Sequence, residues 1–346
     1  MTRVSIVVLN YNYARFVGAA IESALNQTHP DVEVIVVDNG STDDSPAAIR
    51  PYESRVQVVR QPVNIGQGQG YNLGIAAATG EWIVWLDADD LLDPDCIATC
   101  LAMADDDTAK VQFPLRHIDP DGRPLDSMTP FLRHSGDVRG LIRRFGHYAG
   151  PPGSGNLYRR SAVAPYFPVP AHKWPIGTDT VPFVTAPFHG LVVDSGRPLG
   201  SYRLHLSVQS DAPGYKGNYR TSVGGEIRLC CASRDHTLEL LRERSGIDVQ
   251  GPFLMLPTYV RRRIVSWRWS REDHPCPEDS AASLWRLMRD ALRDCPGYSL
   301  LGRTLMLGWA TAVLYLPPRL ANPLMAANTA QPLWHALSHW AKRRTA

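Results

Sequence analysis

The chain contains, in its first third, the stretch Trp85-Leu86-Asp87-Ala88-Asp89-Asp90, in which an apolar strand pattern ends in three acidic residues. Carboxylates this close together raise each other's pKa, so such a cluster needs a compensating positive charge. The usual compensator is a divalent cation, which proteins bind through one or two carboxylates together with substrate phosphates. The stretch therefore predicts a bound cation and a phosphate-containing substrate at the carboxyl end of a strand.

The sequence around this stretch alternates strand and helix patterns. Short apolar runs rich in β-branched residues predict strands at 4–9, 32–37, 56–59 and 82–86. Such runs are typical of strands that are buried on both faces of a parallel sheet. Helical patterns lie between these strands, at 17–25, in a segment that includes 47–49, and at 70–78. This order predicts an α/β fold, a doubly wound, Rossmann-like layer around a mostly parallel central sheet.

Polar clusters follow three of the predicted strands. They are Asn10-Tyr11-Asn12, Asp38-Asn39 and the acidic stretch 87–90. In a doubly wound sheet, ligands bind beyond the carboxyl ends of the strands. We therefore expect residues that are eighty positions apart to meet at one edge of the sheet.

Two nucleotide-binding fingerprints are excluded. The dinucleotide fingerprint G-x-G-x-x-G follows the first strand, whereas the glycines at 66, 68, 70 and 74 follow the third. These glycines predict instead a loop that lets the backbone approach a ligand closely. The chain also lacks the sequence G-x-x-x-x-G-K-[ST], which excludes a P-loop nucleotidase.

Composition indicates an ordinary globular protein. The 346 residues are 44% hydrophobic and 20% charged, which fits one large domain with a smaller appendage. Met1-Thr2-Arg3 leads directly into the first strand pattern, so we expect no signal peptide. The six cysteines lack C-x-x-C spacing and are expected to be reduced thiols in the cytoplasm.

Charge divides the chain into two parts. Residues 1–214 carry 17 Lys and Arg against 23 Asp and Glu, and residues 215–346 carry 19 against 11. The basic last third predicts a surface for anionic lipid or nucleic acid, with a solvated basic face as the equal alternative. The apolar stretch 300–316 is short for a bilayer span and predicts a core or interfacial helix. The tail 334–344 predicts a membrane-surface helix or a helix docked on its own domain.

Six motifs follow one another in the order of the chain: Val4–Asn12, Val36–Asp43, Asn64–Gly66, Tyr71–Gly74, Thr79–Glu81 and Leu86–Asp90. Together they resemble the family 2 glycosyltransferases, inverting enzymes with the GT-A fold, densely over residues 3–95 and more thinly to about 210. The resemblance implies a catalytic domain at 1–215, with a nucleotide-sugar-binding half at 1–100 and an acceptor half at 101–215. A helical, basic C-terminal region is expected at 216–346.

The resemblance also implies a donor site. It places five residues around the nucleotide: Asn10, Tyr11, Asp38, Asn64 and Gly66. Among them, Asp38 would hold a uracil or equivalent base, and Tyr11 would flank that base. Asp87 would contact the ribose and the metal, and Asp89 would be the principal ligand of a Mg²⁺ or Mn²⁺ ion that bridges the diphosphate. Such an ion offsets the charge that grows on the leaving group, whereas Asp90 has no assigned role.

An inverting transfer also needs a general base, which deprotonates the acceptor hydroxyl as it attacks the anomeric carbon of the sugar. The resemblance places this base at an acid some ninety residues after the acidic stretch. Asp179 fits, because it is the only acid between Asp137 and Asp194. Asp179 would also suit the N-cap of a helix, and the two roles are compatible. Thr178 stands where the family more often has a glutamate.

Two further positions bear on the site. Where the family often has Ala-Arg-Asn-x-Gly, this chain has Tyr71 in place of the arginine, which removes one expected contact to the donor. The sequence Tyr202-Arg203-Leu204-His205 resembles the family's Tyr-Arg-x-His strand. His205 is therefore a candidate metal ligand, and Arg203 could also reach the diphosphate. A structural role is the alternative for such a histidine.

The sequence thus predicts a metal-dependent inverting hexosyltransferase of cell-surface polysaccharide synthesis. Its donor would be a UDP- or dTDP-linked sugar, and its acceptor a hydroxyl of a saccharide or a polyprenyl-linked molecule beside the glycine-rich loop 146–156. We expect a cytoplasmic protein at the inner face of the membrane, a homodimer, and no nucleic-acid partner. One alternative is a nucleotidylyltransferase, which the polar Asn10–Tyr13 disfavours because a basic phosphate loop belongs there. The other is a non-catalytic nucleotide-sugar-binding protein, which the complete set of acids disfavours.

Overall fold

The structure, a computed structural model, describes residues 2–130, 132–205, 222–250 and 256–329. These residues form two compact units. The first comprises the described parts of Met1–Arg143, Tyr148–Leu204 and Ser233–Gln250, and the second those of Arg144–His147, His205–Ala232 and Gly251–Ala346. The predicted domain boundary at 215 and the predicted tail helix at 334–344 lie outside the described residues.

The strands of the first unit form two sheets. They are β1 (Val4–Asn10), β2 (Val32–Asn39), β3 (Gln57–Gln61), β4 (Trp82–Asp87), β5 (Leu91–Leu92), β6 (Thr108–Gln112), β7 (Leu115–Ile118), β8 (Pro124–Thr129), β9 (Asn156–Arg159), β10 (Leu191–Asp194) and β11 (Gly200–Arg203). The larger sheet has the order β10-β6-β9-β4-β1-β2-β3, and β9 runs antiparallel to both of its neighbours. The smaller sheet has the order β5-β11-β7-β8.

The four predicted strands are β1 to β4, and they pair in parallel in the order β4-β1-β2-β3. Both faces of β1, β2 and β4 are buried, whereas β3 is a partly exposed strand at the edge of the sheet. On β1, Val7 packs in one core while Ile6 and Val8 pack in the other, and on β4 Trp85 and Leu86 divide in the same way. Each such side chain contributes about 1.5–3 kcal/mol by its burial. The predicted doubly wound α/β layer with a mostly parallel sheet is confirmed.

Helices cover both faces of the larger sheet and make up most of the second unit. They are α1 (Ala14–Leu25), α2 (Ser45–Ile49), α3 (Gln67–Ala77), α4 (Cys96–Met103), α5 (Arg139–Phe145), α6 (Arg160–Val163), α7 (Thr180–Thr185), α8 (Val223–Ser245), α9 (Pro257–Trp269), α10 (Ala281–Asp294), α11 (Leu300–Tyr315) and α12 (Pro318–Thr329). Helix α3 lies very close to the sheet, because a Cβ at Gly74 would be 2.5 Å from Cγ1 of Val7. Only glycine permits this approach.

The second unit has its own core, formed mainly by α9, α10 and α11. Helix α10 begins with a capping box, in which the Ser280 side chain accepts a hydrogen bond from the main-chain N–H of Ser283. Helix α11 coincides with the predicted apolar stretch and buries Met306, Ala310 and Val313. It is therefore a core helix, one of the two predicted roles. Within the described residues, none of the helices combines the length and apolar character needed to cross a bilayer.

Candidate active site

The carboxyl ends of β2, β1 and β4 lie side by side. In the sheet, Asn10 of β1 pairs with Asp38 of β2, and Leu9 of β1 pairs with Asp87 of β4. Because neighbouring strands are about 4.8 Å apart, Asp38 and Asp87 stand about 10 Å from each other across β1. The three polar clusters therefore meet at one edge of the sheet, as the sequence predicts.

A hydrogen-bonded pocket forms around Asp38. Its Oδ1 accepts hydrogen bonds from Nδ2 of Asn10 at 3.1 Å and from the hydroxyl of Ser41 at 2.5 Å. Asp38 and Asn10 are both buried, whereas the Tyr11 side chain beside them is 40% exposed. A fixed carboxylate beside an accessible aromatic ring suits a planar base, which can donate an N–H to the acid and stack on the ring.

Asn64 and Gly66 connect this edge to the segment that leads to Asp179. The Nδ2 of Asn39 donates to Oδ1 of Asn64 at 3.2 Å and to the carbonyl of Gly66 at 2.8 Å. Gly66 has a φ of +98°, and a Cβ there would lie 3.0 Å from Cα of Pro175. The next two residues donate main-chain N–H groups to the carbonyls at 174 and 175. The glycine thus permits a close backbone-to-backbone contact, and its predicted contact with a donor stays a prediction.

The acidic stretch forms a tight turn at the end of β4, in which the N–H of Asp90 donates to the carbonyl of Asp87 at 3.0 Å. Burial, together with the charges of Asp89 and Asp179, raises the pKa of Asp87 to about 8. The protein alone therefore leaves Asp87 largely protonated at pH 7, and a divalent cation would favour its ionised form. The carboxylate oxygens of Asp87 and Asp89 are hard donors of the kind that Mg²⁺ and Mn²⁺ take, so this residue set fits such an ion.

Asp90 and Arg203 hold the acidic turn in place. Asp90 is buried, and its Oδ1 accepts the main-chain N–H of Arg203 at 3.0 Å. The Arg203 guanidinium donates to the main-chain carbonyls of Asp89 at 2.9 Å and Asp119 at 3.0 Å. Burial and the charges of Asp89 and Asp87 raise the pKa of Asp90 well above its usual range. Asp90 thus supports the turn, and Arg203 bonds to main-chain carbonyls; its contact with a diphosphate stays a prediction.

The glycine-rich loop 146–156 reaches the acidic turn. The hydroxyl of Ser154 accepts the main-chain N–H of Asp87 at 3.1 Å. A Cβ built on the neighbouring Gly153 would lie 3.4 Å from Oη of Tyr71, 3.6 Å from Cβ of Asp179 and 3.9 Å from Oδ2 of Asp87. One point beside Gly153 therefore lies within 4 Å of the two acids that the sequence predicts at the metal and at the base.

Asp179 stands immediately before α7, at its N-cap position, but its side chain makes no capping hydrogen bond. The predicted roles of Asp179 as a helix cap and as a general base both stay predictions. Burial raises the pKa of Asp179, and the N–H groups at the start of α7 and the charge of Lys110 partly offset that increase. A carboxylate with a raised pKa accepts a proton more readily, which suits a general base.

Lys110 is a functional candidate that sequence reasoning missed. It is fully buried in β6, its Nζ donates to the hydroxyl of Tyr148 at 2.8 Å, and it lies 3.7 Å from the ring centroid of Phe183. Phe183 belongs to α7, and its N–H donates to the carbonyl of Asp179 at 3.2 Å. Lys110 therefore packs against the helix that begins at the candidate base. In the sequence, a sign of this buried lysine is its position between two apolar residues, Ala109 and Val111.

His205 lies two residues beyond the end of β11 and begins the segment His205–Ala232, which is assigned to the second unit. The other predicted site residues all belong to the first unit. The part of His205 in metal binding stays a prediction.

A mostly parallel sheet with polar clusters and an acidic turn at its carboxyl edge is typical of the GT-A class of fold. Residues 5–167 match the family model described as "Glycosyl transferase family 2". The family model thus matches the part of the chain in which the motifs predict glycosyltransferase family 2.

Relatives with curated names cover part of the chain. An uncharacterized glycosyltransferase of Nostoc sp. is 35% identical over 209 residues, which are 59% of this chain and 65% of the relative. The putative glycosyltransferase EpsH of Bacillus subtilis is 31% identical over 212 residues, 59% and 61% of the two chains. The chain thus spans less than two thirds of the length of these relatives. The solved structure of S. aureus TarS 1–349 in complex with UDP is 16% identical and covers 90% of this chain and 87% of its own, with a TM-score of 0.49.

Proposed function

We propose that this chain is a metal-dependent inverting glycosyltransferase that uses a UDP- or dTDP-linked sugar as donor. One observation carries the proposal: Oδ2 of Asp87 and Cβ of Asp179 both lie within 4 Å of one point beside Gly153. A metal-binding acid and a general base at this separation can flank a single reacting carbon, with the leaving diphosphate near one and the acceptor hydroxyl near the other. The match to the family model supports the same reaction.

In the proposed reaction, Asp38 and Tyr11 bind the base of the donor, with Asn10 fixing the Asp38 carboxylate. Asp179 takes the proton of the acceptor hydroxyl as that oxygen bonds to the anomeric carbon. The bond between this carbon and the diphosphate oxygen breaks on the opposite face, so the configuration inverts. Asp87 and Asp89 would hold Mg²⁺ or Mn²⁺, which supplies positive charge for the diphosphate that leaves.

We place the acceptor among saccharides or polyprenyl-linked sugars of a cell-surface polysaccharide. Two relatives carry names of this kind. The succinoglycan biosynthesis protein ExoO of Rhizobium meliloti is 40% identical over 126 residues, 35% of this chain and 36% of the relative. A chondroitin synthase of Pasteurella multocida is 36% identical over 124 residues, 34% of this chain and 13% of the relative.

A nucleotide-sugar panel tests this proposal. UDP-, dTDP- and GDP-linked sugars, each with Mn²⁺ or EDTA, are screened for thermal stabilisation and then for donor turnover. We expect a UDP- or dTDP-sugar to stabilise the protein only with the cation, because a ligand of the native state raises apparent stability with its affinity. Asp89→Ala should lose this stabilisation. Asp106→Asn is the matched control, since Asp106 is exposed before β6, at the opposite edge of the sheet. Parent-like turnover by Asp89→Ala would disprove the metal assignment.

We further propose that the protein works at the cytoplasmic face of the membrane, and as a homodimer. The excess of basic over acidic residues at 215–346 supports the first part, as does the exposure of Leu300 and Leu320. Cosedimentation of the full chain with vesicles tests it. Binding should require anionic lipid and weaken with salt, and equal binding to neutral vesicles would contradict the electrostatic part. Sedimentation velocity tests the dimer.

A further inference from the structure

Tyr71 occupies the position at which family members often have an arginine. It lies in α3 with 1% of its surface exposed, and its ring stacks on Trp85 with a centroid distance of 5.0 Å. The next residue, Asn72, exchanges two hydrogen bonds of 2.8 Å with the main chain of Val169. Together with the close approach of α3 at Gly74, these contacts fix the position of the Tyr71 ring.

The hydroxyl of Tyr71 lies where the two predicted functional acids meet. The point at which a Gly153 side chain would begin is 3.4 Å from this hydroxyl, and it is within 4 Å of Asp179 Cβ and Asp87 Oδ2. Tyr71 therefore places one neutral donor and acceptor beside two carboxyl groups. An arginine would place a permanent positive charge there.

Gly153 places no side chain between these groups, and hydrogen bonds hold its loop in position. The Nδ2 of Asn156 donates to the carbonyls of Pro152 at 2.7 Å and Gly153 at 3.1 Å, and Ser154 is bonded to the acidic turn. The φ of Gly153 is not in the left-handed region, and all three contacts of an added Cβ are ordinary van der Waals distances. An alanine would therefore fit the fold, and its methyl group would occupy the space between the functional groups.

We propose that the Tyr71 hydroxyl contacts the transferred sugar, and that Tyr71 and Gly153 together determine which sugars the site accepts. This inference rests on the proposed function. A phenolic hydroxyl can both donate to and accept from the hydroxyl groups of a sugar. Being neutral, it adds no positive charge for the diphosphate, so its contribution should follow the sugar and be absent for the nucleotide alone.

The test compares Tyr71→Phe with the parent and with Tyr52→Phe. The control removes a surface hydroxyl that donates to Glu22 at 2.8 Å. We expect Tyr71→Phe to lower kcat/KM about ten-fold for the preferred nucleotide sugar, the effect of one neutral hydrogen bond. The affinity for UDP with Mn²⁺ should stay within two-fold of the parent, and so should every value for Tyr52→Phe. Unchanged kcat/KM for Tyr71→Phe, or an equal loss of UDP affinity, would overturn the inference.

Gly153→Ala is a second, independent test of whether the space beside Gly153 determines sugar specificity. We expect it to keep UDP affinity and to shift the preference from UDP-N-acetylhexosamines towards the smaller UDP-hexoses by at least ten-fold. A uniform loss on all donors, or none, would contradict the role in specificity. The proposed function fails separately, if the parent turns over no nucleotide sugar or if Asp179→Asn retains parent activity. If those two hold and both Tyr71→Phe and Gly153→Ala behave as the parent, only this inference is wrong.

Discussion

Replacement of Asp87 by asparagine is expected to stabilise the metal-free protein while abolishing its cation site. The pKa of this carboxyl is about 8 in the folded chain, against an ordinary value of 3.8. The folded state thus binds this proton more tightly than the unfolded state does. Stability from this group is present at low pH and is lost as the pH rises from about 4 to about 8. Asparagine has nearly the same shape as aspartate but no charge, so the substitution removes this pH-dependent loss of stability.

The magnitude follows from the difference between the two pKa values. At about 1.4 kcal/mol for each pKa unit, the difference corresponds to at most about 6 kcal/mol above pH 8. Water at the partly exposed carboxyl weakens the interaction, so we expect a net gain of roughly 2–3 kcal/mol at pH 8. For a chain of 346 residues, that gain corresponds to an increase in Tm of about 3–4 °C. The gain should shrink towards zero as the pH falls to about 4.

Thermal unfolding in EDTA at pH 5.5 and pH 8.0 measures this effect. The difference in Tm between Asp87→Asn and the parent should be larger at pH 8.0, and the exposed control Asp106→Asn should show no such dependence. Added Mn²⁺ and UDP should stabilise the parent and leave the Asp87→Asn protein unchanged. A variant that is destabilised by the same amount at both pH values would refute the idea that repulsion in the acidic turn is relieved by a cation.

Three further substitutions test how the site is held. Arg203→Ala removes the guanidinium that donates to two main-chain carbonyls. We expect the free energy of unfolding, measured in urea, to fall by about 2–4 kcal/mol and Mn²⁺ to bind more weakly. Unchanged affinity for Mn²⁺ would contradict the role of Arg203 in supporting the acidic turn. Gly155→Ala would place a Cβ 2.6 Å from Cβ of Pro151 and should lower the free energy of unfolding by about 1–3 kcal/mol. The control Gly140→Ala lies in α5 with open space around it and should leave stability unchanged or raise it. Burial lowers the pKa of Lys110 well below its usual range, and where Lys110 is protonated its charge lowers the pKa of Asp179. Lys110→Met should therefore move the acidic limb of the pH–rate profile to higher pH, and an unmoved limb would show that Lys110 does not act on the base.

The part of the site that follows local sequence was predictable. The strands at β1, β2 and β4 are short apolar runs, and the polar residues after them must meet because parallel strands end at one edge. This reasoning places Asp38 and Asp87 correctly at that edge. The burial of Trp85 and Leu86 in opposite cores also follows from the continuous apolar pattern.

The remaining parts depend on packing between distant segments, which no local pattern encodes. Tyr71 and Gly153 are eighty-two positions apart, and only the contact of α3 and the glycine-rich loop with the sheet brings them together. Asp90 was indistinguishable from its acidic neighbours in sequence, and its role became clear from the main-chain N–H of Arg203. Gly66 shows the converse case, because a glycine predicted to approach a ligand also permits a close contact with the backbone at Pro175.

The assignment of Asp179 as the general base is the central claim, and single-turnover transfer by Asp179→Asn tests it most directly. The measurement uses the preferred nucleotide sugar with Mn²⁺, beside a determination of UDP affinity. We predict UDP affinity equal to that of the parent and a transfer step slower by about 10²–10⁴-fold, the usual contribution of a general base. Transfer at the parent rate by a protein that binds UDP normally would contradict the account.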